Sequence, residues 1–220
     1  QTKVIDFDSK ILKKKQIGYL VGAGDEIPQV LQNVGYSVKT INLNESTLED
    51  LKQFETIVVG IRAFNTEEVL KTKNKLLFDY AKNGGTVIVQ YQTNTNLQTE
   101  NIAPYPLTIG KTRVTDENAV VTFVNPNEQV LNTPFKINQE NFKDWVQEQG
   151  LYYADSFDNN FVPVIKSQDF DEKQTNGALV IAPYGKGFYV YTGLSFFRQL
   201  PAGNNGALEL FINLIELTNE

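Results

Sequence analysis

The stretch Leu76-Leu77-Phe78-Asp79-Tyr80-Ala81-Lys82-Asn83-Gly84-Gly85-Thr86-Val87-Ile88-Val89-Gln90-Tyr91 decides the fold class. Its first half places Leu76, Leu77, Tyr80 and Ala81 at helical spacing, within a helix expected over 70–82, and Gly84-Gly85 stops it. The second half is a short, wholly apolar run rich in β-branched residues, the signature of a strand buried on both faces. A helix feeding directly into such a strand is half of a βαβ unit.

Working outward toward the amino end, the same alternation recurs. Thr56-Ile57-Val58-Val59 is a second run of this kind. Residues 17–21 form a strand that ends in Gly22-Ala23-Gly24, and Asp25 is expected to cap the helix that follows, with Pro28 in its first turn. Ile27, Val30, Leu31 and Val34 mark its buried stripe, Gly35 ends it, and 38–43 gives another strand. Ser46 and Glu49 stand at capping-box spacing before a short helix through Leu48 and Leu51. Four strands separated by helices predict an open, mainly parallel α/β sheet.

Toward the carboxyl end the pattern loosens. Residues 92–112 read as a long polar loop, 119–124, 151–153 and 162–165 as short strands, and 126–134 as a helical turn between prolines. Residues 178–182 and 188–192 flank Tyr184-Gly185-Lys186-Gly187, an antiparallel hairpin added to the parallel sheet. A last helix from Gly206 buries Leu208, Phe211, Ile212 and Ile215. Residues 1–16 are expected to be a linker or the tail of a preceding domain, and 17–220 a single domain. Val4-Ile5-Asp6-Phe7-Asp8 opens this tail, and Lys10 with Lys13-Lys14-Lys15 reads as solvated, since the acidic remainder offers no basic stripe to extend. A start at Gln1 without a signal-peptide pattern is read as a processed product or an excised domain.

Composition restricts the chemistry. The 220 residues include no cysteine, no histidine and no methionine. Thiol nucleophiles, imidazole bases and the usual zinc ligand sets are excluded, so no metal and no cofactor is expected. A net charge of −6 argues against nucleic acid as a partner, and no apolar run is long enough for a membrane span.

The glycine turn at 22–24 falls short of a dinucleotide fingerprint, because the third glycine would be Ile27, and it reads as a tight strand-to-helix turn. The carboxyl end of the 86–89 strand is where an open α/β sheet places a nucleophile or a ligand crevice. This chain puts Gln90-Tyr91-Gln92 there, groups suited to hydrogen bonding and lacking a base for acyl transfer. Three polar clusters leave other strand ends: 60–66 with Arg62 and Asn65, 113–118 with Arg113 and Asp116, and 196–201 with Arg198. Their arginines either donate to a ligand or pin loops by pairing with Asp116, Glu117 and nearby carbonyls. A carboxylate pair for glycoside hydrolysis, from Asp116 with Glu117 or Glu148, is an alternative. Trp145 is either a sugar platform or an anchor for an irregular segment.

The motifs Ile17-Gly18-Tyr19-Leu20-Val21-Gly22-Ala23-Gly24-Asp25-Glu26-Ile27-Pro28, Gly60-Ile61-Arg62-Ala63-Phe64-Asn65-Thr66 and Asn83-Gly84-Gly85-Thr86-Val87-Ile88-Val89-Gln90-Tyr91 together resemble the C-terminal region of bacterial PIG-L/LmbE-type deacetylases. So do Arg113-Val114-Thr115-Asp116-Glu117-Asn118-Ala119, Trp145-Val146-Gln147-Glu148-Gln149-Gly150-Leu151-Tyr152, and Ala182-Pro183-Tyr184-Gly185-Lys186-Gly187 through Gly203. The resemblance covers about residues 17–217. It implies a flavodoxin-like, class I glutamine amidotransferase-like fold, similar to the trimerisation domain of some β-galactosidases. It also implies a non-catalytic accessory domain whose partner is the deacetylase domain of the same parent chain, with an extracytoplasmic or periplasmic location and homo-oligomers as further expectations. The zinc ligands of those deacetylases and the Cys–His–Glu set of amidotransferases have no counterparts here. The expected ligand, a glycan or small polar molecule, would meet Gly24, Arg62, Asn65, Gln90, Tyr91, Arg113, Asp116 and Arg198. In that reading the arginines donate, Asp116 accepts and Tyr91 gives a stacking face. A carbohydrate hydrolase and a purely structural interaction domain are the competing expectations.

Overall fold

The structure is a computed structural model, and it describes residues 9–219. The expected segment Val4–Asp8 lies outside the described residues.

Seven strands form one sheet. In chain order the elements of its parallel half are β1 (Gln16–Leu20), α1 (Ile27–Asn33), β2 (Ser37–Thr40), α2 (Leu48–Leu51), β3 (Thr56–Val59), α3 (Ala63–Thr66), α4 (Leu70–Lys82) and β4 (Thr86–Val89). A middle region carries the small strands β5 (Leu107–Ile109), β6 (Thr122–Phe123), β7 (Ala154–Phe157), β8 (Val162–Pro163) and β9 (Ile165–Lys166). The hairpin β10 (Leu179–Tyr184) and β11 (Gly187–Thr192), then α5 (Phe196–Gln199) and α6 (Asn205–Ile215), complete the order. The sheet runs β2-β1-β3-β4-β11-β10-β8. Strands β2, β1, β3, β4 and β11 are mutually parallel, and β10 runs antiparallel to both β11 and β8. The fold is therefore the flavodoxin-like, amidotransferase-like α/β sheet, mainly parallel with an antiparallel hairpin.

Strand period two separates two cores. Ile17, Tyr19, Val58, Ile88 and Val190 face α1 and α6. Leu20, Ile57, Val59, Val87, Val89, Tyr189 and Tyr191 face α2, α3 and α4. Strands β3 and β4 are buried at every position, which is why their sequences carry no polar alternation. Helix α6 is buried nearly all round, beyond the four-residue stripe its spacing suggested. It lies between the sheet and the irregular segment around Trp145. That side chain is buried, donates from Nε1 to the Asn141 carbonyl at 2.9 Å, and stacks on Phe142 at 5.5 Å. It is an anchor, not a sugar platform.

Several expectations need correction. The box capping α2 is Thr47–Asp50, not Ser46–Glu49: the Thr47 N–H donates to Asp50 Oδ2 at 2.8 Å, while the Ser46 hydroxyl turns back to the Asn42 carbonyl. The cap position of α1 is Glu26, because the Asp25 carboxylate receives the Tyr19 hydroxyl as well as the Ile27 N–H. Residues 151–153 are not a strand, since Tyr152 adopts φ 53°, and pairing starts only at Ala154. Of 119–124 only Thr122 and Phe123 pair, and the 92–112 loop contains β5.

The lysine run is not wholly solvated. Lys14 Nζ is buried and donates to Thr56 Oγ1, Thr86 Oγ1 and the Leu217 carbonyl at 3.2, 3.1 and 2.7 Å. The Glu216 carboxylate accepts the Lys13 and Lys14 N–H groups and the Tyr36 hydroxyl. These bonds tie residues 13–14 to the starts of β3 and β4 and to the end of α6.

Candidate functional site

In a parallel sheet the connections leaving the carboxyl ends of the strands gather at one edge, and here β1, β3, β4 and β11 deliver four loops to it. The loop after β1 can lie against the loop after β3 only because residue 22 is glycine. A Cβ there would stand 2.3 Å from the Ile61 carbonyl oxygen and 2.6 Å from the Ala63 nitrogen, both backbone atoms. The Ala23 N–H donates to that Ile61 carbonyl at 2.8 Å. Gly24 follows at φ 95°, exposed and with open space around it. The glycine turn is thus a tight connection.

The loop after β3 turns sharply at Arg62, whose φ of 56° is left-handed, an uncommon state for a side chain of this size. Its N–H donates to the Tyr91 carbonyl at 2.9 Å, and its own carbonyl accepts from Asn65 and Thr66. The root of the side chain is fixed while the guanidinium is exposed. Among the described residues that guanidinium has no hydrogen bond and no carboxylate partner. Asn65 pins the loop after β4: its Nδ2 donates to the Thr93 and Thr95 carbonyls, and its Oδ1 accepts the Thr93 N–H.

At the elbow after β4, both glutamines are used inside the protein. Gln90 donates through Nε2 to the Tyr19 hydroxyl, which in turn donates to the Asp25 carboxylate. Burial, reinforced by Asp25, pushes the Tyr19 phenol far above its ordinary range, so it stays a donor. Gln92 accepts the Phe64 N–H and donates to the Gln90 and Gly60 carbonyls. Tyr91 lies between them in sequence and is packed against Tyr152, 6.0 Å between ring centroids, and Phe197, 5.0 Å. It is 9% exposed, and the stacking face expected of it is taken by these neighbours. Its hydroxyl has no hydrogen-bond partner among the described residues. Burial raises its pKa, against the lowering pull of Arg62 and Arg198.

Beside these groups lies a shared ion pair. Glu148 is buried and takes Arg113 on one oxygen and Arg198 on the other, the latter at 3.3 Å. Arg198 also lies 4.8 Å over the Phe197 ring and reaches the Gln147 amide oxygen. The two arginines therefore do pair with an acid, but it is Glu148 and not Asp116 or Glu117. Asp116 Oδ1 accepts the Asn118 N–H, its own N–H goes to Asp169, and Glu117 accepts the Gln147 N–H. No hydrogen bond or ion pair joins Asp116 to the other predicted residues.

The edge thus brings Arg62, Tyr91 and Arg198 near one another, with Arg113 joined through Glu148 and Asn65 in support. Gln90 is spent inside the fold, Gly24 stands in open space on the neighbouring turn and Asp116 bonds elsewhere. Sequence reasoning missed Tyr152 as a crevice residue and saw Glu148 only as a hydrolase acid. Gln147 and Tyr152, like Arg62, have left-handed backbone, so three of the six described non-glycine residues with positive φ lie at this edge. Strained backbone of this kind concentrates at functional sites. A cleft of about 490 Å³ at the opposite, amino-terminal edge is lined by Val162, Ile181, Phe188 and Leu217 among others. It has no convergent set of charged groups, and the candidate site is therefore placed at the carboxyl edge.

No family model matches the chain, and no curated protein does. Among solved structures it is similar to the cytoplasmic protein STM3548 from Salmonella typhimurium, with 15% identity over 94% of this chain and 100% of that one, TM-score 0.60. It is also similar to a putative GMP synthase component from Thermoplasma acidophilum, 10% identical over 92% of each chain, TM-score 0.55. A putative ThuA-like protein from Bacteroides uniformis is 10% identical over 96% of this chain and 94% of its own, TM-score 0.55. At such identities the likeness is one of fold, and the shared fold is the flavodoxin-like, amidotransferase-like α/β sheet.

Proposed function

We propose that this chain is a non-catalytic binding module whose ligand, a sugar or similar polyhydroxylated molecule, occupies the crevice at the carboxyl ends of β3, β4 and β11. One observation carries the reading: an exposed guanidinium and a phenol hydroxyl, Arg62 and Tyr91, stand together without partners among the described residues. Polar groups left unused beside ordered, strained backbone are what a preorganised ligand site requires. The elbow favours binding over acyl transfer, since its amides are spent on the fold and the Tyr91 hydroxyl is hydrogen-bonded to no base among the described residues. Against the hydrolase alternative, Glu148 is paired with two arginines and Asp116 is engaged by the Asn118 N–H of its own loop.

An accessory role beside a PIG-L/LmbE-type deacetylase domain is the biological setting we propose, resting on the sequence resemblance. A structural interaction domain is the second reading, favoured by the exposed side chains of Phe170 and Val120, 88% and 74% accessible.

Calorimetric titration with a panel of N-acetylated sugars and oligosaccharides tests the proposal. Binding without turnover, weakened about tenfold or more in Arg62→Ala, is the expected result. Turnover abolished by Asp116→Asn would overturn it. Failure to bind any glycan, together with stable self-association, would favour the interaction domain.

A further inference from the structure

We infer that the ligand presents a carboxylate to Arg62, so that the crevice selects acidic sugars of the uronate class over neutral ones. This deepens the reading above and rests on it.

The charges of the crevice support this choice. Arg113 and Arg198 share the Glu148 carboxylate, and their fields are largely compensated. Asp25, the acid on the neighbouring turn, is held by the Tyr19 hydroxyl and the Ile27 N–H, with Oδ2 3.5 Å from the Ile61 N–H. It forms no ion pair with Arg62, which remains the guanidinium of this edge that no described carboxylate neutralises. An uncompensated guanidinium beside a partly apolar wall costs little in water and gains most from an anion that excludes water. A neutral hydroxyl would accept one ordinary hydrogen bond there and leave the charge unmatched.

The charge count also separates carboxylate from phosphate. A guanidinium meets a carboxylate through two parallel N–H donors, and the Tyr91 hydroxyl adds a third donor from the adjoining strand end. A phenol is protonated near neutral pH, and burial raises the pKa of this one further. One free positive charge and one neutral donor match a monoanion. A phosphate monoester, with close to two negative charges at neutral pH, would leave one without a counter-charge. The sugar ring then lies toward Tyr152 and Phe197, the half-buried aromatic groups that flank Tyr91.

The test uses the full chain, with galacturonate and glucuronate oligomers, the matching galactose and glucose oligomers, and glucose 6-phosphate as probes. We expect the uronates to bind about tenfold or more tightly than the neutral oligomers, and glucose 6-phosphate to gain less. Arg62→Gly should abolish that preference, lowering uronate binding about tenfold further than it lowers neutral binding. Glycine suits the left-handed backbone of position 62, so this variant should melt no lower than wild type. Tyr91→Phe should reduce the preference by a smaller factor. Equal binding of uronates and neutral sugars, unchanged in Arg62→Gly, overturns the inference and leaves the sugar-binding reading standing. A phosphate preference above the uronates overturns the choice of carboxylate. No binding of any probe overturns both readings.

Discussion

The Gln90 side-chain amide donates to the Tyr19 hydroxyl at 3.0 Å, so the first elbow residue braces β4 against β1 and takes no part in the crevice wall. The hydroxyl passes the bond on to Asp25, closing a buried chain Gln90–Tyr19–Asp25 that holds the turn after β1 in place. Tyr19→Phe keeps the ring and leaves a buried amide and a carboxylate each short of one partner. It should lower unfolding free energy by about 1–3 kcal/mol. Denaturant titration followed by circular dichroism measures this; a loss below the resolution of the method would mean that water replaces the hydroxyl.

Lys14 gives the fold a pH dependence of unusual sign. Burial lowers its pKa to about 8 from an ordinary 10.5, partly offset by Glu216 and Glu55. Above pH 8 the folded chain has released this proton while the unfolded chain still holds it, so the contribution to stability rises with pH through that window, at up to about 1.4 kcal/mol per pH unit. Above about pH 10 the buried tyrosines, whose folded pKa values are raised, act in the opposite direction. Lys14→Met should flatten the rise between about pH 8 and 10 in melts compared across that range. A rise of equal size in the variant would assign it to another group.

The two arginines on Glu148 should be unequal. Arg113 is 53% exposed and contributes as a surface pair does, at most about 1 kcal/mol. Arg198 is less exposed at 32%, stacks on Phe197 and reaches Gln147. Arg198→Ala should therefore cost about 2 kcal/mol or more, and clearly more than Arg113→Ala. Paired denaturant curves decide the order.

Trp145 is the single tryptophan and only 2% exposed. Its emission should be blue-shifted and resistant to iodide quenching in the native state, and should move to the red in one step with unfolding. Strong native-state quenching would place it at the surface.

What could be read from the sequence follows from which forces were local. Strands β3 and β4 and helix α4 have the bounds their residues suggest, because continuous β-branched runs and a double-glycine stop leave few alternatives. The cap of α2 slipped by one because Ser46-Thr47 and Glu49-Asp50 offer two boxes of equal chemistry, and the Ser46 hydroxyl is taken by the Asn42 carbonyl of the preceding turn. Residues 119–124 and 151–153 look like strands by composition but are placed by distant partners such as Gly193, which accepts the Leu151 N–H. Within the site, Arg62 and Tyr91 were legible because strand ends deliver them. Glu148 was not, since its role depends on Arg113 and Arg198, both far from it along the chain. Lys14 was hidden for the same reason: lysine is ordinarily solvated, and only the tertiary fold supplies Thr56, Thr86 and Leu217 around it.

Ligand binding at the carboxyl edge, beside Arg62 and Tyr91, is open to a residue-by-residue test. Amide nitrogen–proton correlation spectra of the full chain, titrated with a galacturonate oligomer, provide it. Saturable shifts should concentrate at residues 60–65, 91–93, 150–153 and 195–199, and should need about tenfold or more ligand in Arg62→Gly. Shifts confined to the 115–118 loop or to the cleft around Phe188 and Leu217, with the carboxyl edge unmoved, would show that the ligand site lies elsewhere.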